Sequence, residues 1–292
     1  MAEPLLSVVV CTHERPDDLR RCLAALAALE DPVEAIVVDS ASRPPCRELV
    51  EGFAEAIPGL RYIHEPEPGL SRARNRGLAA ATLPVVAFVD DDAAPAPDWA
   101  RRLAAAFADP TVGCAGGACH PDFAAPPPGW LSDRLLQFAG ITRIGDQARE
   151  ARSSAEYPFG ANLAMRADAL AEAGGFSERL GRIGGSLLSG EEYAAIERLR
   201  ELGWRVWLQP DAAVAHRVAP ERLRAGYYWR RLWWQGVSRA RAGRSLRLAG
   251  RLVVAAPLRL VMWVATRDRF YLYRTAETAG YLRECVRRPA RA

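Results

Sequence analysis

Four short apolar runs alternate with three helical segments over the first 90 residues, and this alternation limits the possible fold more than any other feature of the sequence. The runs are LLSVVVCT (5–12), EAIVVDS (34–40), LRYIHE (60–65) and PVVAFVD (84–90). Continuous apolar strands rich in β-branched residues are typical of parallel sheets that helices cover on both faces. The order therefore predicts an α/β fold with a mostly parallel central sheet flanked by helices.

Polar side chains follow these runs where the strands are expected to end. In chain order they are Thr12, Glu14, Arg15, Asp39, Asp90, Asp91 and Asp92. In an open α/β sheet, ligands bind at the edge formed by the carboxyl ends of the parallel strands. We therefore expect these side chains to converge on one site.

The three consecutive carboxylates at 90–92 predict a cation site, with a solvated strand end as the alternative. Oxygen ligands suit Mg²⁺ or Mn²⁺, and proteins typically hold Mg²⁺ with one or two carboxylates and phosphate oxygens. His216, near the end of the run RVWLQPDAAVAHRV (205–218), could add a nitrogen ligand that favours Mn²⁺. Taken alone, this histidine is better explained as a strand-end side chain bonded to backbone.

An arginine-rich segment, EPGLSRARNRGLAAA (67–81), predicts a helix that begins near Gly69. A helix N-terminus binds anions, so Arg72, Arg74 and Arg76 could pair with a diphosphate. Asn75 could donate a hydrogen bond to a ribose or a phosphate. The alternative is an ordinary solvated helix.

The segment SGEEYAAIERL (189–199) places Glu191 and Glu192 in the first turn of a predicted helix. Consecutive helical residues point about 100° apart, so only one of the two is expected to face a site. A carboxylate held there could act as a general base toward a hydroxyl group. The alternative is that both acids stabilise the helix N-terminus.

Several classes of protein lack their sequence signatures here. No GxGxxG or Walker sequence follows the first run, which argues against a dinucleotide oxidoreductase and a P-loop enzyme. The six cysteines contain no pair with zinc spacing, and the N-terminal apolar run has no basic region before it. These features predict a reduced, cytoplasmic chain.

Charge is distributed unevenly along the chain. Residues 217–292 contain 18 Arg and four acidic residues, a net charge of +14, whereas residues 1–216 carry a net charge of −10. The pattern predicts a first domain over 1–219 and a basic, aromatic-rich helical extension over 220–292 that faces an anionic surface. The alternative is that these arginines solvate ordinary helices and pair with acids of the first part.

The extension contains an apolar stretch, 252–266, that Arg259 interrupts and that includes Pro257. It is shorter than the ~20 apolar residues needed to span a bilayer. On a helical wheel, Arg259 and the arginines of 244–251 fall on one side, opposite Leu and Val. This arrangement suits a helix in a membrane interface, and it equally suits a helix packed on the protein.

Seven segments in a fixed order make residues 5–218 similar to the family 2 glycosyltransferases of GT-A fold. They are SVVVCTHERPDDLRRCLAAL, AIVVDSAS, GLSRARNRGLAAA, VVAFVDDD, GANLAMRADAL, SGEEYAAIERLRELGW and VAHRV. The resemblance implies a GT-A fold and transfer of a sugar from a nucleotide-diphosphate donor to an acceptor hydroxyl, with inversion at the anomeric carbon.

The resemblance also implies roles for individual residues. Glu192 takes the second place of the family's "ED" pair, where the base is usually found, and Glu191 takes the first. The metal ligands would be Asp92, Asp90 and His216, and the cofactor Mg²⁺ or Mn²⁺. The nucleotide-sugar would contact Thr12, Glu14, Arg15, Asp39, Arg74, Asn75, Asp90 and Asp91. The acceptor or sugar side would include Gly160, Asn162 and Trp99.

The sequence departs from the family pattern at three points. Ser40 stands where many members have a second acid, so recognition of the donor base is less constrained. The base pair reads Glu-Glu instead of Glu-Asp. The processive members' QxxRW motif and multiple membrane spans are not found, which favours transfer of a single sugar.

The sequence thus predicts a metal-dependent inverting glycosyltransferase of surface polysaccharide or glycolipid synthesis. Its partners would be a nucleotide-sugar donor, a hydroxyl acceptor that is lipid-linked if 220–292 contacts an anionic membrane, and no nucleic acid. It would be cytoplasmic, peripheral on the inner face of the cell membrane. The alternatives are a sugar-phosphate nucleotidyltransferase and a non-catalytic nucleotide-sugar binding protein.

Overall fold

The computed structural model describes residues 3–142 and 144–287, which form two compact units. The sheet unit contains the residues up to Asp122 together with Gly140–Glu178 and Glu191–Arg217. The helical unit contains Phe123–Ala139, Arg179–Gly190 and the chain from Val218 onward. The predicted domain boundary at residue 219 stays a prediction; two earlier stretches of the chain group with the C-terminal segment.

The strands form one sheet in the order β3-β2-β1-β4-β8-β6-β9-β5, with β7 paired to β9. Their bounds are β1 Ser7–Thr12, β2 Glu34–Ser40, β3 Arg61–Glu65, β4 Val85–Asp90, β5 Ala93–Pro95, β6 Val112–Phe123, β7 Arg149–Glu150, β8 Asn162–Arg166 and β9 Arg205–Val218.

The four strands predicted from the apolar runs are the parallel part of this sheet. β1 lies between β2 and β4, and β3 continues the sheet beyond β2. β8 then pairs antiparallel with β4, and β6 antiparallel with β8. The predicted α/β class, with a parallel centre flanked by helices and helices at the C-terminus, is confirmed.

Helices cover both faces of the sheet. Those of the sheet unit are α1 Pro16–Ala27, α2 Arg47–Glu51, α3 Leu70–Ala80, α4 Trp99–Ala105, α6 Ala167–Glu172 and α7 Glu191–Glu201, whereas α5, Asp133–Leu136, belongs to the helical unit. Pro16 begins α1. Proline is favoured there because a backbone N–H in the first turn of a helix makes no hydrogen bond within the helix.

Alternate residues of β1 pack on opposite sides of the sheet. Val8 and Val10 belong to the core cluster formed with α1, α2 and α4, and Val9 belongs to the cluster formed with α3, α6 and α7. The two-residue period of a strand produces this division. It explains why the centre of β1, Val8 to Val10, is apolar on both faces.

Three long helices dominate the helical unit: α8 Ala225–Ala242, α9 Leu246–Thr266 and α10 Arg269–Val286. α8 and α10 pack through a buried aromatic cluster that contains Tyr228 and Tyr273, stacked with ring centroids 6.0 Å apart. Glu277 and Glu284 of α10 form ion pairs with Arg239 and Arg241 of α8 at 2.6 and 3.0 Å.

Two glycines allow α8 and α10 to approach closely. A Cβ atom on Gly236 would collide with the carbonyl oxygen of Glu277, and one on Gly280 with that of Trp233. Backbone atoms cannot move aside as a flexible side chain can, so either substitution must separate the helices.

We expect Gly236→Ala to lower the free energy of unfolding by about 1–3 kcal/mol, the usual cost of overpacking. The matched control is Gly250→Ala in α9, where the added methyl meets no atom within 4 Å. That change should be neutral or should stabilise by up to about 1 kcal/mol through helix propensity. Chemical denaturation of both variants checks this, and equal effects would contradict the close helix contact.

Candidate active site

The carboxyl ends of β1 and β4 meet at one edge of the sheet, as predicted. In the parallel register Cys11 lies opposite Asp90, which places Thr12 and Asp91 side by side. The Thr12 hydroxyl donates a hydrogen bond to Asp91 Oδ2 at 2.9 Å. Arg15 donates from one nitrogen to Asp91 at 3.1 Å and to Asp92 at 3.3 Å. Four of the predicted residues therefore form one hydrogen-bonded group.

Asp91 is the central acceptor of this group and is buried. Burial raises the pKa of its carboxyl to about 7, the charge of Asp92 adds to the rise, and the Arg15 guanidinium opposes it. Each of its two oxygens accepts a hydrogen bond, one from Thr12 and one from Arg15, so Asp91 links the end of β1 to the loop that follows β4.

Asp90, Asp92 and His216 each offer a ligand atom, and these atoms all lie within 4.8 Å of one another. His216 reaches the group because β9 pairs with β5, with His216 opposite Ala93. Its Nε2 lies 3.1 Å from Asp92 Oδ1, and its buried Nδ1 has no hydrogen-bond partner among the described residues. Two carboxylates and an imidazole fit a divalent cation, and the nitrogen favours Mn²⁺ over Mg²⁺.

Gly140 makes room for the histidine, a role that the sequence did not indicate. Its φ of 90° lies in the region that favours glycine. A Cβ there would collide with the His216 ring. A lone glycine in a polar stretch carries no periodic signal, so only the tertiary structure identifies it.

Arg74 connects the aspartates to α7. Its side chain is buried, and it donates hydrogen bonds to Glu191 Oε1 at 2.7 Å and to Asp90 Oδ1 at 3.2 Å. Burial alone would lower the pKa of Arg74, but the charges of Glu191 and Asp90 outweigh it and raise the pKa. Gly160 lies against this guanidinium, which a Cβ at that position would displace.

The two glutamates that begin α7 have different surroundings. Glu191 is buried and bonds to Arg74 through Oε1, whereas Glu192 is half-buried. The Oε2 atom of each has no hydrogen-bond partner among the described residues. Burial raises the pKa of Glu191 to about 8, the charge of Glu192 adds to the rise, and Arg74 opposes it. Glu192 is therefore the less enclosed of the two carboxyls.

Asp39 and Glu14 organise the loops that follow β2 and β1. Asp39 accepts hydrogen bonds from the backbone N–H groups of Ser42 and Cys46 and from the Tyr62 hydroxyl. Burial alone would raise the pKa of Asp39, but these hydrogen bonds outweigh it and lower the pKa. Exposed Glu14, at a φ of 57°, accepts a hydrogen bond from the Arg43 N–H at 3.2 Å.

Three of the predicted residues hold the protein's own structure together, and two of them lie inside the fold. Trp99 Nε1 donates to Asn162 Oδ1 at 2.9 Å, and both residues are fully buried. The Asn162 amide also donates to the carbonyls of Ala118 and Ala212. Asn75 both donates to and accepts from the backbone of Phe176. Through these hydrogen bonds the three side chains fix strands and loops of the protein.

We expect Arg74→Met to lower the free energy of unfolding by about 3–5 kcal/mol, because it leaves the buried Glu191 carboxyl without its cation. The matched control is Arg76→Met, an exposed position on the same helix, which should change stability by about 0.5 kcal/mol or less. Adding Glu191→Gln to Arg74→Met should recover part of the loss. Equal denaturation curves for Arg74→Met and Arg76→Met would contradict the buried ion pair.

Comparison with solved structures identifies similar folds. A mannosyltransferase from Pyrobaculum calidifontis, PcManGT in complex with GDP-Man and Mn²⁺, matches with a TM-score of 0.64 at 22% identity, over 97% of this chain and 88% of that one. Residues 1–349 of TarS from S. aureus in complex with UDP match with a TM-score of 0.57 at 15% identity, over 96% and 90%. At these identities the likeness shows the fold, which is of the GT-A type.

Comparison with curated proteins identifies relatives in sequence. A glucosyl-dolichyl phosphate glucuronosyltransferase of Haloferax volcanii is 27% identical over 80% of this chain and 76% of its own length. A pre-mycofactocin glycosyltransferase of Mycobacterium tuberculosis is 31% identical over 72% of this chain and 42% of its own length.

The family comparison covers more than half of the chain. The model described as "Glycosyl transferase family 2" matches residues 7–174, which include β1 to β4, Arg74 and the three consecutive aspartates. The predicted family is confirmed: this chain belongs to glycosyl transferase family 2 and is a glycosyltransferase with nucleotide-sugar donors.

Proposed function

We propose that the enzyme transfers a single sugar from a nucleotide-diphosphate sugar to an acceptor hydroxyl, with inversion, and that it depends on a divalent metal ion. One observation carries the proposal: His216, Asp92 and Asp90 lie together, and Arg74 bonds both to Asp90 and to Glu191, the neighbour of Glu192 at the start of α7. A candidate cation site and a candidate base are thus held in one rigid arrangement, which suits transfer chemistry.

The metal site of this proposal consists of Asp90, Asp92 and His216. A Mn²⁺ or Mg²⁺ ion bound there would neutralise the negative charge that develops on the leaving diphosphate. Arg15 bonds to Asp91 and Asp92 and is half-exposed, so it can add positive charge beside the proposed metal site. The Mn²⁺ complex of the Pyrobaculum neighbour supports this assignment.

The base of this proposal is Glu192. Its carboxyl is half-buried and does not bond to Arg74, so it is proposed to accept the proton of the acceptor hydroxyl as the hydroxyl oxygen attacks the anomeric carbon. Glu191, buried on Arg74, is instead a positioning residue. A single displacement with one base inverts the anomeric centre.

The nucleotide-sugar is proposed to lie along the edge formed by Thr12, Glu14, Arg15, Asp39 and the aspartates. Arg74 is buried and bonds to two carboxylates, so we assign it to orienting Asp90. Asn75, Trp99 and Asn162 are assigned to holding the surrounding backbone, and Gly160 to accommodating Arg74.

The acceptor is proposed to be lipid-linked, with the enzyme peripheral on the inner face of a membrane and its product a glycolipid or surface polysaccharide. The Haloferax volcanii relative carries glucosyl-dolichyl phosphate in its name, which supports a lipid-phosphate acceptor. The net charge of +14 over 217–292 supports attraction to an anionic membrane.

Transfer to a glycosylated polyprenyl phosphate, with none to the corresponding soluble glycoside, tests this acceptor class.

A nucleotidyltransferase is the competing reaction for a metal-bound α/β site. It would release pyrophosphate, whereas the proposed transfer releases a nucleoside diphosphate. Analysis of the products from a panel of nucleotide-sugars separates the two reactions.

We expect Asp92→Asn to weaken Mn²⁺ binding and to lower nucleoside diphosphate release at least about 100-fold, because a neutral amide is a poor ligand for a hard cation. Calorimetric titration with Mn²⁺ measures binding separately from turnover. The control is Asp211→Asn, an exposed aspartate that pairs with Arg102, which should leave both quantities unchanged. Normal metal binding and turnover by Asp92→Asn would refute the metal site.

We expect Glu192→Gln to lower kcat at least about 100-fold while KM for the donor and Mn²⁺ affinity stay near normal, because only proton removal is lost. Glu201→Gln, at the exposed end of the same helix, is the matched control and should keep full activity. If Glu192→Gln is active and Glu191→Gln is inactive at unchanged stability, the base is Glu191 and the assignment is wrong.

A further inference from the structure

Helix α9 presents an apolar side to its surroundings. Val254, Leu258 and Val261 are 78%, 63% and 62% exposed. Val253 and Val264 are also at least half exposed. Among the described residues, α9 is the one helix whose length and apolar composition would suffice to cross a membrane, and very little of it is buried. So large an apolar face on an ordered helix indicates a partner.

The polar side of α9 faces the protein. Arg259, the only charged residue between 252 and 266, donates hydrogen bonds to the Arg274 carbonyl at 3.1 Å and to the Thr278 hydroxyl at 2.7 Å, both on α10. A surface helix of a water-soluble protein has the opposite arrangement, with its apolar side inward. The helical wheel left open whether the arginine side of α9 faces a membrane or the protein, and at Arg259 it contacts α10.

The neighbouring helix shows that α9 does not cross a bilayer here. α10 runs back along α9, since Arg259 contacts residues 274 and 278 and Ser245 bonds to Tyr281. α10 carries Arg274, Glu277 and Glu284 in ion pairs, so it cannot enter hydrocarbon with α9. A helix with one apolar side and a polar layer behind it suits the plane of a membrane interface.

Charge indicates which membrane surface fits. Arginines flank the apolar face at both ends: Arg244, Arg247 and Arg251 precede it, and Arg267 and Arg269 follow it. Arginine side chains at the ends of an interfacial helix attract anionic headgroups. A second copy of the chain is a poorer occupant, because a two-fold contact would bring two such arginine sets together.

We propose that the outer face of α9, centred on Val254, Leu258 and Val261, inserts into the headgroup–acyl boundary of an anionic phospholipid membrane with its axis in the membrane plane. The inference deepens the proposed peripheral location, on which it rests. It adds that binding depends on apolar insertion as well as on charge.

The test compares two full-length variants that keep the net charge. Val254→Asn/Val261→Asn removes apolar surface from α9, and Val and Asn have similar helix propensities. The matched control, Leu5→Asn/Leu202→Asn, alters two exposed apolar residues of the sheet unit. Both are assayed by flotation with phosphatidylglycerol–phosphatidylcholine vesicles and with phosphatidylcholine vesicles alone. Nucleoside diphosphate release in solution checks that each variant is folded.

We expect the α9 variant to bind the anionic vesicles at least about tenfold more weakly than the control, since the burial of one valine is worth about that factor. Equal binding by the two variants overturns the inference. If Arg247→Ala/Arg251→Ala abolishes binding and the α9 variant binds normally, the peripheral location stands and insertion is refuted. A dimer in light scattering that the α9 variant converts to a monomer also overturns it, because a second copy then covers the face.

Discussion

The buried contact of Arg74 with Glu191 and Asp90 is the interaction on which the candidate site depends. It joins a helix, the end of a parallel strand and the start of α7, three elements that are far apart in sequence. Loss of either carboxylate would leave the buried guanidinium without a partner, and loss of the guanidinium would leave the carboxylates without one. The candidate cation site and the candidate base are therefore set by one charge balance.

The parallel strands and the residues at their ends could be predicted from the sequence, because a parallel sheet brings successive carboxyl ends to one edge. That rule was sufficient for Thr12, Arg15 and the three aspartates. It could not give the partner of Arg74, since a pairing across 117 positions has no periodic signal. It also could not separate exposed from buried polar residues, so Trp99 and Asn162, which bond to each other in the core, were predicted on the acceptor side.

Composition predicted the basic C-terminal segment but not how its charges are used. Of its four acids, Glu277 and Glu284 pair with arginines of the same segment, and Asp268 caps α10. The apolar stretch 252–266 was predicted to be too short to span a bilayer, but the helix that contains it, Leu246–Thr266, has sufficient length and apolar composition. Only the contact of Arg259 with α10 shows that the uncharged side of this helix faces outward. Which side of an amphipathic helix is covered is a tertiary property.

Strand β9 gives the site an unusual sensitivity to chain length. His216 joins the aspartates because it pairs with Ala93, and its strand neighbours Ala215 and Arg217 point to the opposite face. Inserting or deleting one residue earlier in β9 would exchange the two faces and would also expose Val214 and Val218, which are buried on the same face as His216. The alternation that places His216 beside Asp92 also builds this part of the core, so β9 cannot change its length by one residue and keep either of them.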